Sequence, residues 1–368
     1  MSLVGLSMDA SADFRRTPGG KNALLFEALE RRFGVVAVLQ PALSLAHRRL
    51  LQALAFHPDR DTWRRRFNLH PRTFSARTAR ARELLAAHPG RLVVQLHTLM
   101  GTGGGHAYVL HTDCSYRLTE RDYPEGAPLG GRARARYLDL ETEVYRGAAA
   151  LFPRSAWLAR SLVEDYGCDP ARVTVVGAGN NLPLSPLEGR RRERPTALYV
   201  GYEWERKGGP ALLRAWERVN AALPAARLQV VGVPRAPRHL PAGVEWLGVV
   251  RDRRRLAALF EQASLFVMPS LFEPWGHVFL EAMAAGLPCV GTSICAMPEI
   301  IRHGETGLLV PRRDPGALVE ALVALLADPA RAEAMGRAGQ ERIRRGWTWD
   351  DVVARMAPAI EAAQATPG

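Results

Sequence analysis

Lysine is nearly absent from this chain. Lys21 and Lys207 are the only two, although lysine and arginine together number 49 in 368 residues. Alanine is abundant as well, so the preference for arginine is typical of a GC-rich genome. The net charge of +12 is therefore a weak indicator of an anionic partner, whereas a lysine retained against this background is informative.

Cysteines are few, and long apolar runs are missing. Four cysteines without a CxxC spacing cannot staple a chain of this length, and we expect buried thiols. No run approaches the roughly 18 apolar residues of a membrane span. The first residues, MSLVGLSMDASADFRR, lack the basic region and apolar stretch of a secretory signal. We expect a soluble, cytoplasmic protein.

Strands alternate with helices along the whole chain, which predicts α/β domains with mainly parallel sheets. The length favours two such domains. We expect an N-terminal domain over 1–180, whose last strand is VTVVG, and a linker over 181–195, which is rich in proline, asparagine and arginine. The alternation resumes over 196–345, and a terminal helix occupies 346–368.

The most informative stretch is FVMPSLFEPWGHVFLEAMAAGLPCVGT. It predicts a buried strand, a loop with Glu273, and a helix that begins near Gly276 and presents Glu281 outward in its second turn. Gly276, His277 and Val278 then expose amide groups at a helix N-terminus, where anions bind. A diphosphate there, with one carboxylate on either side, matches a nucleotide sugar whose hexose and ribose hydroxyls bind Glu273 and Glu281.

The E-x7-E spacing within EPWGHVFLEAMAAGLP resembles the signature of retaining GT-B glycosyltransferases, in particular glycosyltransferase family 4, the glycosyl transferases of group 1. The flanking segments agree over nearly all of residues 196–350. The resemblance implies two doubly wound Rossmann-like domains that face each other across a cleft, with the terminal helix crossing back to the first. It also implies retaining transfer of a sugar from a nucleotide diphosphate sugar to a hydroxyl acceptor, without a metal or cofactor.

The segment GYEWERKGGPALLRAW carries two cations, Arg206 and Lys207, in a strand-to-helix loop. The resemblance assigns them the donor diphosphate, and it places Val249 among the donor-binding residues. Many relatives carry arginine where this chain has Tyr202. Two interpretations stay open: Arg206 supplies the missing guanidinium, or Lys207 alone is essential.

The sequence predicts no metal site, and it carries no clear pattern for the nucleotide base. No DxD motif or histidine cluster offers metal ligands in a suitable loop. We prefer a uridine diphosphate sugar over a guanosine one. The acceptor, whether glycan, lipid or small molecule, stays open.

The N-terminal half holds weaker candidates. Gly19 and Gly20 match the glycine-rich first loop of GT-B enzymes, although a plain turn explains them too. His111 follows AYVL and is a candidate contact for donor or acceptor, with His97 as a rival. The alternative for both is a structural histidine at a strand end.

Residues 47–91 carry eleven arginines against three acidic residues, together with Trp63 and Phe67. This segment is either a solvated basic face or a surface that rests on an anionic membrane at the inner face. Two other functions compete with transfer. A sugar-nucleotide epimerase or hydrolase would use the same fold. A nucleic-acid-binding protein is disfavoured because no known binding module is present.

Overall fold

A computed structural model describes residues 2–13, 22–187 and 194–365. The chain divides into two compact units. The N-terminal unit comprises Met1–Gly179 together with Trp349–Gly368, and the C-terminal unit comprises Asn180–Thr348. In the described residues, no helix combines the length and apolar character needed to cross a bilayer.

A five-stranded parallel sheet lies at the centre of the N-terminal unit, in the order β2-β1-β3-β4-β5. Its strands are β1 (Leu3–Leu6), β2 (Val35–Leu39), β3 (Val93–Leu96), β4 (Tyr108–Thr112) and β5 (Ala150–Pro153). Sheets of this order bind ligands where the strand order reverses, here between β1 and β3.

Eight helices in the described residues belong to this unit. They are α1 (Ala23–Phe33), α2 (Leu45–Leu54), α3 (Arg60–Leu69), α4 (Pro71–Leu85), α5 (Tyr116–Asp122), α6 (Gly131–Gly147), α7 (Ala156–Glu164) and α14 (Trp349–Ala365). Helix α14 packs against α1, and Arg31 pairs with Asp350 at 2.6 Å. The final helix of the chain thus completes the N-terminal unit.

The predicted strand VTVVG does not form. Val173 makes a single bridge to Leu151, and Val176 donates one hydrogen bond to Pro153. Proline has no amide hydrogen to donate, so Pro153 cannot extend the ladder at the end of β5.

A six-stranded parallel sheet forms the C-terminal unit, in the order β11-β10-β9-β6-β7-β8. Its strands are β6 (Thr196–Val200), β7 (Arg227–Val231), β8 (Val244–Gly248), β9 (Leu265–Met268), β10 (Cys289–Thr292) and β11 (Gly307–Val310). Read from β8, this is the order of a dinucleotide-binding fold, and the switch point lies between β6 and β9.

Six helices in the described residues of the C-terminal unit flank this sheet. They are α8 (Gly209–Ala222), α9 (Arg253–Gln262), α10 (His277–Ala284), α11 (Met297–Ile300), α12 (Pro315–Leu326) and α13 (Pro329–Arg344). Helix α8 packs on α12 and α10 packs on α13. Fully buried side chains such as Trp216, Phe266 and Phe279 fill the core. The predicted α/β architecture with two parallel, doubly wound sheets is confirmed.

Candidate active site

The loops that follow β6 and β9 touch at the switch point of the C-terminal unit. The amide of Leu271 donates to the carbonyl of Arg206 over 2.8 Å. Gly208 has a left-handed φ of +75°, and a Cβ there would lie 1.9 Å from the carbonyl oxygen of Pro269. Only glycine allows this approach, so the loop with the two cations is held against the loop with Glu273.

Lys207 and Glu273 form a largely buried ion pair in this region. Nζ of Lys207 lies 3.2 Å from Oε2 of Glu273 and 3.5 Å from Sδ of Met268. Their side chains are 10% and 9% exposed. Their opposite charges compensate each other where little water reaches, so each residue helps to fix the position of the other.

Arg206 directs its donors at protein atoms. Nε donates to Oε2 of Glu203 over 2.9 Å, and Nη2 bonds the same oxygen. Nη1 donates to the carbonyl of Phe272 over 2.5 Å and lies 3.5 Å from Oε2 of Glu273. Burial lowers the pKa of Arg206, but the carboxylates of Glu273 and Glu203 outweigh it and the pKa is raised. The guanidinium thus clamps the two loops together.

Glu281 lies in the second turn of α10 and is half-buried. Burial raises its pKa to about 7, opposed by a hydrogen bond from Asn181 and by the charges of Arg253 and Lys207. The sequence predicted an outward-facing carboxylate. The side chain is instead partly covered, because Asn181 reaches it from the segment that precedes β6.

Two helices begin beside this cluster without a side-chain cap. Gly276 precedes α10 with a left-handed φ of +71°, and Gly208 precedes α8. At neither N-terminus does a side chain among the described residues cap the first turn. His277 and Val278, both half-buried, form the first turn of α10 as predicted. The positive ends of two helix dipoles thus lie close to Lys207 and Glu273.

Two positions that the sequence analysis named are exposed. Val249 follows the edge strand β8, which β7 separates from β6, and its side chain is 51% exposed. Tyr202, at the position where the resemblance implied an arginine, is 66% exposed. Arg253, at the start of α9, is the cation that acts on Glu281 together with Lys207.

His111 is fully buried inside the N-terminal unit. Its Nε2 lies 3.2 Å from the carbonyl oxygen of Gly177, and its ring packs edge-on against Trp349 with centroids 6.3 Å apart. Burial lowers its pKa to about 3, helped by the charge of Arg154. The sequence placed this side chain where a strand opens toward ligand, but the structure covers it with the first residue of α14.

His97 is the more accessible histidine of the two. It follows β3 with a left-handed φ of +61°, an uncommon conformation for a residue other than glycine. Nδ1 lies 3.5 Å from Oδ1 of Asp113. The other carboxylate oxygen of Asp113, Oδ2, lies 3.4 Å from the buried guanidinium of Arg154. The three residues follow β3, β4 and β5, so they share the ligand-binding edge of the sheet.

The remaining predicted residues, Gly19 and Gly20, lie outside the described residues. Among the four cysteines none forms a disulfide, and Cys168 and Cys289 are buried. No group of three or more histidine, cysteine, aspartate or glutamate residues suited to a metal occurs in the described ranges.

Sequence reasoning missed Glu203 and Asn181. Glu203 precedes Arg206 by three residues in one turn, a spacing at which opposite charges often pair, so the signal was present. Asn181 meets Glu281 across a hundred residues of sequence. No local pattern could have found that contact.

Known proteins resemble the chain in sequence. Residues 194–328 match the family of Glycosyl transferases group 1. A glycogen synthase of Mycobacterium tuberculosis (strain ATCC 25618 / H37Rv) is 28% identical over 295 residues, which cover 77% of this chain and 68% of that protein. A D-inositol 3-phosphate glycosyltransferase of Thermomonospora curvata is 33% identical over 281 residues, or 68% and 63% of the two chains.

This chain is an enzyme of the glycosyltransferase class. It spans about two thirds of the length of these two curated relatives. The sequence-based prediction of a glycosyltransferase is confirmed.

Solved structures agree on the fold of this glycosyltransferase. The sucrose-phosphate synthase of Thermosynechococcus elongatus matches with a TM-score of 0.74 at 20% identity, over 98% of this chain and 99% of that one. Anabaena HepE in complex with UDP matches with a TM-score of 0.66 at 14% identity, over 98% and 100%. The predicted GT-B fold is confirmed.

Proposed function

We propose that this glycosyltransferase moves a sugar from a nucleotide diphosphate sugar to a hydroxyl group of a glycan, a lipid or a small molecule. The observation that carries the proposal is the Lys207–Glu273 pair beside the uncapped start of α10. A diphosphate needs a cation and amide donors, and this part of the C-terminal unit offers both.

The two glutamates bind the two ends of the donor in this proposal. Glu273 accepts hydrogen bonds from the hydroxyls of the transferred sugar. Glu281 accepts them from the ribose, since it lies one and a half turns into α10 and within the electrostatic reach of Lys207. Gly276, His277 and Val278 direct their amides at the diphosphate, and Val249 lies toward the nucleoside end.

Lys207 supplies the positive charge that a bound metal supplies in other sugar transferases, so we propose transfer without a metal or cofactor. Arg206 acts through Glu273, because its own donors are engaged by Glu203 and Phe272. Of the two interpretations that Tyr202 left open, this geometry favours Lys207 as the essential cation.

Transfer proceeds with retention of configuration in this proposal. The bond between the anomeric carbon and the donor diphosphate breaks, and a bond from that carbon to the acceptor oxygen forms on the same face. The acceptor hydroxyl passes its proton to the departing phosphate oxygen. The developing charge on that phosphate is stabilised by Lys207 and by the start of α10.

The acceptor contacts the carboxyl ends of β3 and β4 in this proposal. His97 is the better candidate for this contact because it is accessible, whereas His111 is enclosed by Gly177 and Trp349. Gly19 and Gly20, which follow β1 in sequence, keep the proposed role of admitting donor or acceptor close to the backbone.

We propose uridine diphosphate as the donor nucleotide. HepE, which has a similar fold, is known in complex with UDP, and this supports the choice. The test is to incubate the protein with a panel of nucleotide sugars and candidate acceptors, and to assign the anomeric configuration of the product by NMR. Transfer that needs acceptor and survives a chelator supports the proposal. Hydrolysis or epimerisation of donor alone, or an inverted product, contradicts it.

We further propose that α2 and its surroundings rest on the anionic inner face of a membrane. Four of the nine exposed large apolar side chains in the described residues lie here: Leu45, Leu50, Leu54 and Phe56. The exposed Arg48 and Arg49 lie between them in sequence. A basic residue near an anionic bilayer contributes about 1 kcal/mol to binding, and the apolar side chains add insertion.

Vesicle sedimentation tests this surface. We expect binding to vesicles that contain phosphatidylglycerol and none to neutral phosphatidylcholine. The double substitution Leu50→Ser and Phe56→Ser should release the protein, whereas Val175→Ser, which removes an exposed valine elsewhere, should not. Equal sedimentation with both lipids, or a dimer in solution that Leu50→Ser dissociates, contradicts the membrane proposal.

A further inference from the structure

A cavity of about 440 Å³ opens in the C-terminal unit, beside the loops that carry Lys207 and Glu273. Its lining comes from α8 and α12, from the loops that follow β6, β9 and β11, and from the last residue of β10. Lys207, Glu273 and Glu281 are not among its lining residues. The volume falls within the range of about 300–1,000 Å³ that is usual for small-molecule sites.

Two cations without partners line this cavity. Arg214 extends from α8 and Arg313 from the segment after β11, and both are exposed. Neither guanidinium has a hydrogen bond or ion pair within the described residues. Arg313 adopts a left-handed φ of +64°, a conformation that a residue other than glycine seldom holds.

The acidic groups of the cavity offset these cations only in part. The carboxylate of Asp314 accepts a hydrogen bond from the amide of Ala317 and caps α12, where the helix dipole compensates its charge. The other lining carboxylate, Glu205, carries one negative charge against the two positive charges of Arg214 and Arg313. The cavity therefore favours an anion.

The rest of the lining suits an organic body. Ala211, Pro269, Leu271, Val310 and Leu318 form apolar walls, and Thr292 adds a buried hydroxyl that already donates to Ser270 over 2.6 Å. A ligand with a carbon skeleton fits these walls better than an inorganic ion does.

We propose that this cavity binds the phosphate monoester of a small sugar or polyol. A carboxylate is satisfied by one guanidinium fork, whereas a phosphate has three terminal oxygens and can bind two forks at once. Arg214 and Arg313 come from different elements, so they hold such a phosphate from two sides.

A ligand in this cavity contacts the same loops that carry Lys207 and Glu273. Glu205 and Gly208 belong to the loop of Lys207, and Pro269 and Leu271 belong to the loop of Glu273. Arg312 links the segment after β11 to the loop of Glu273, since its Nη1 donates to the carbonyl of Leu271 over 3.2 Å. A ligand that favours one position of these loops changes the affinity of the protein for the donor. Bound donor then changes the affinity for the cavity ligand by the same factor.

Isothermal titration of the full chain with ribose 5-phosphate tests the site, with ribose and gluconate as the neutral and carboxylate comparisons. We expect saturable binding of the phosphate alone. Arg214→Ala and Arg313→Ala should each weaken it by about tenfold, or about 1.4 kcal/mol. Ala211→Leu should weaken it by narrowing the cavity. Arg218→Ala, which removes an exposed arginine one turn along α8, is the matched control and should bind normally.

Three results overturn the site. They are an absence of saturable binding, equal binding of gluconate, and binding that persists in the double variant of Arg214 and Arg313. If Lys207→Ala abolishes binding while the arginine variants bind normally, the phosphate occupies the donor cluster instead. None of these readouts requires sugar transfer, so the two proposals fail separately.

Discussion

The ammonium nitrogen of Lys207 lies 3.2 Å from a carboxylate oxygen of Glu273, at the point where the loops after β6 and β9 meet. This contact joins the two sequence segments that carry the motif of the family. It holds a cation and the carboxylate that we propose binds the sugar in place at the switch point before any donor arrives, so we expect little reorganisation on binding.

Replacing Lys207 with alanine should lower kcat/KM for transfer by about 100-fold or more, because one preorganised donor to a departing group contributes about that much. The melting temperature should change little, since Arg206 still neutralises Glu273. Steady-state kinetics beside Arg218→Ala as a charge-matched control measures the effect. Near-normal turnover would remove Lys207 from the mechanism.

Replacing Arg206 with alanine should cost stability as well as activity. The side chain is 14% exposed and clamps Glu203, Phe272 and Glu273, and breaking such a largely buried pair costs about 3–5 kcal/mol. Urea unfolding combined with kinetics reports both effects. A variant that melts normally yet loses transfer would show that Arg206 contacts the donor directly.

Glu281 should make donor binding pH-dependent near neutrality. Its pKa of about 7 means that the carboxyl gains a proton as the pH falls through that value. A neutral carboxyl accepts hydrogen bonds more weakly than a carboxylate. The KM for the donor should therefore rise as the pH is lowered from about 8 to about 6. Glu281→Gln should raise KM at high pH and flatten this profile. An unchanged profile in that variant would refute the assignment.

Glu141 should make stability fall with rising pH. It is fully buried, and burial raises its pKa from 4.5 to about 7, against hydrogen bonds from Tyr166, Thr98 and Tyr145. The folded chain then holds a proton that the unfolded chain releases, so the free energy of unfolding decreases from about pH 4.5 to pH 7. The loss is about 3 kcal/mol at most. Urea midpoints across this range should show a shallower slope for Glu141→Gln, and an identical slope would exclude Glu141 as the cause.

The two histidines should separate by phenotype. His97→Asn suits the left-handed backbone, since asparagine tolerates that conformation, and should reduce transfer without changing the melting temperature. His111→Ala removes packing against Trp349 and should lower the melting temperature. Thermal melts and acceptor KM for both variants check this. The opposite pattern would return the acceptor contact to His111.

The C-terminal unit was largely readable from sequence because its signals are local. The E-x7-E spacing, the glycine before α10 and the lysine after β6 each belong to one strand–loop–helix segment, so alternation alone placed them at strand ends. Arg206 shows the limit of that reasoning. Its charge was visible, but the contact with the carbonyl of Phe272 requires two loops to meet.

The sequence by itself determined the two parallel α/β units and the residues that carry the family signature, because hydrophobic alternation and motif spacing are properties of short segments. Only the tertiary structure decided which of those residues are accessible. Trp349 returns from the end of the chain to cover His111, and Asn181 reaches Glu281 from the segment before β6. Burial and pKa depend on such distant neighbours, and no local pattern encodes them.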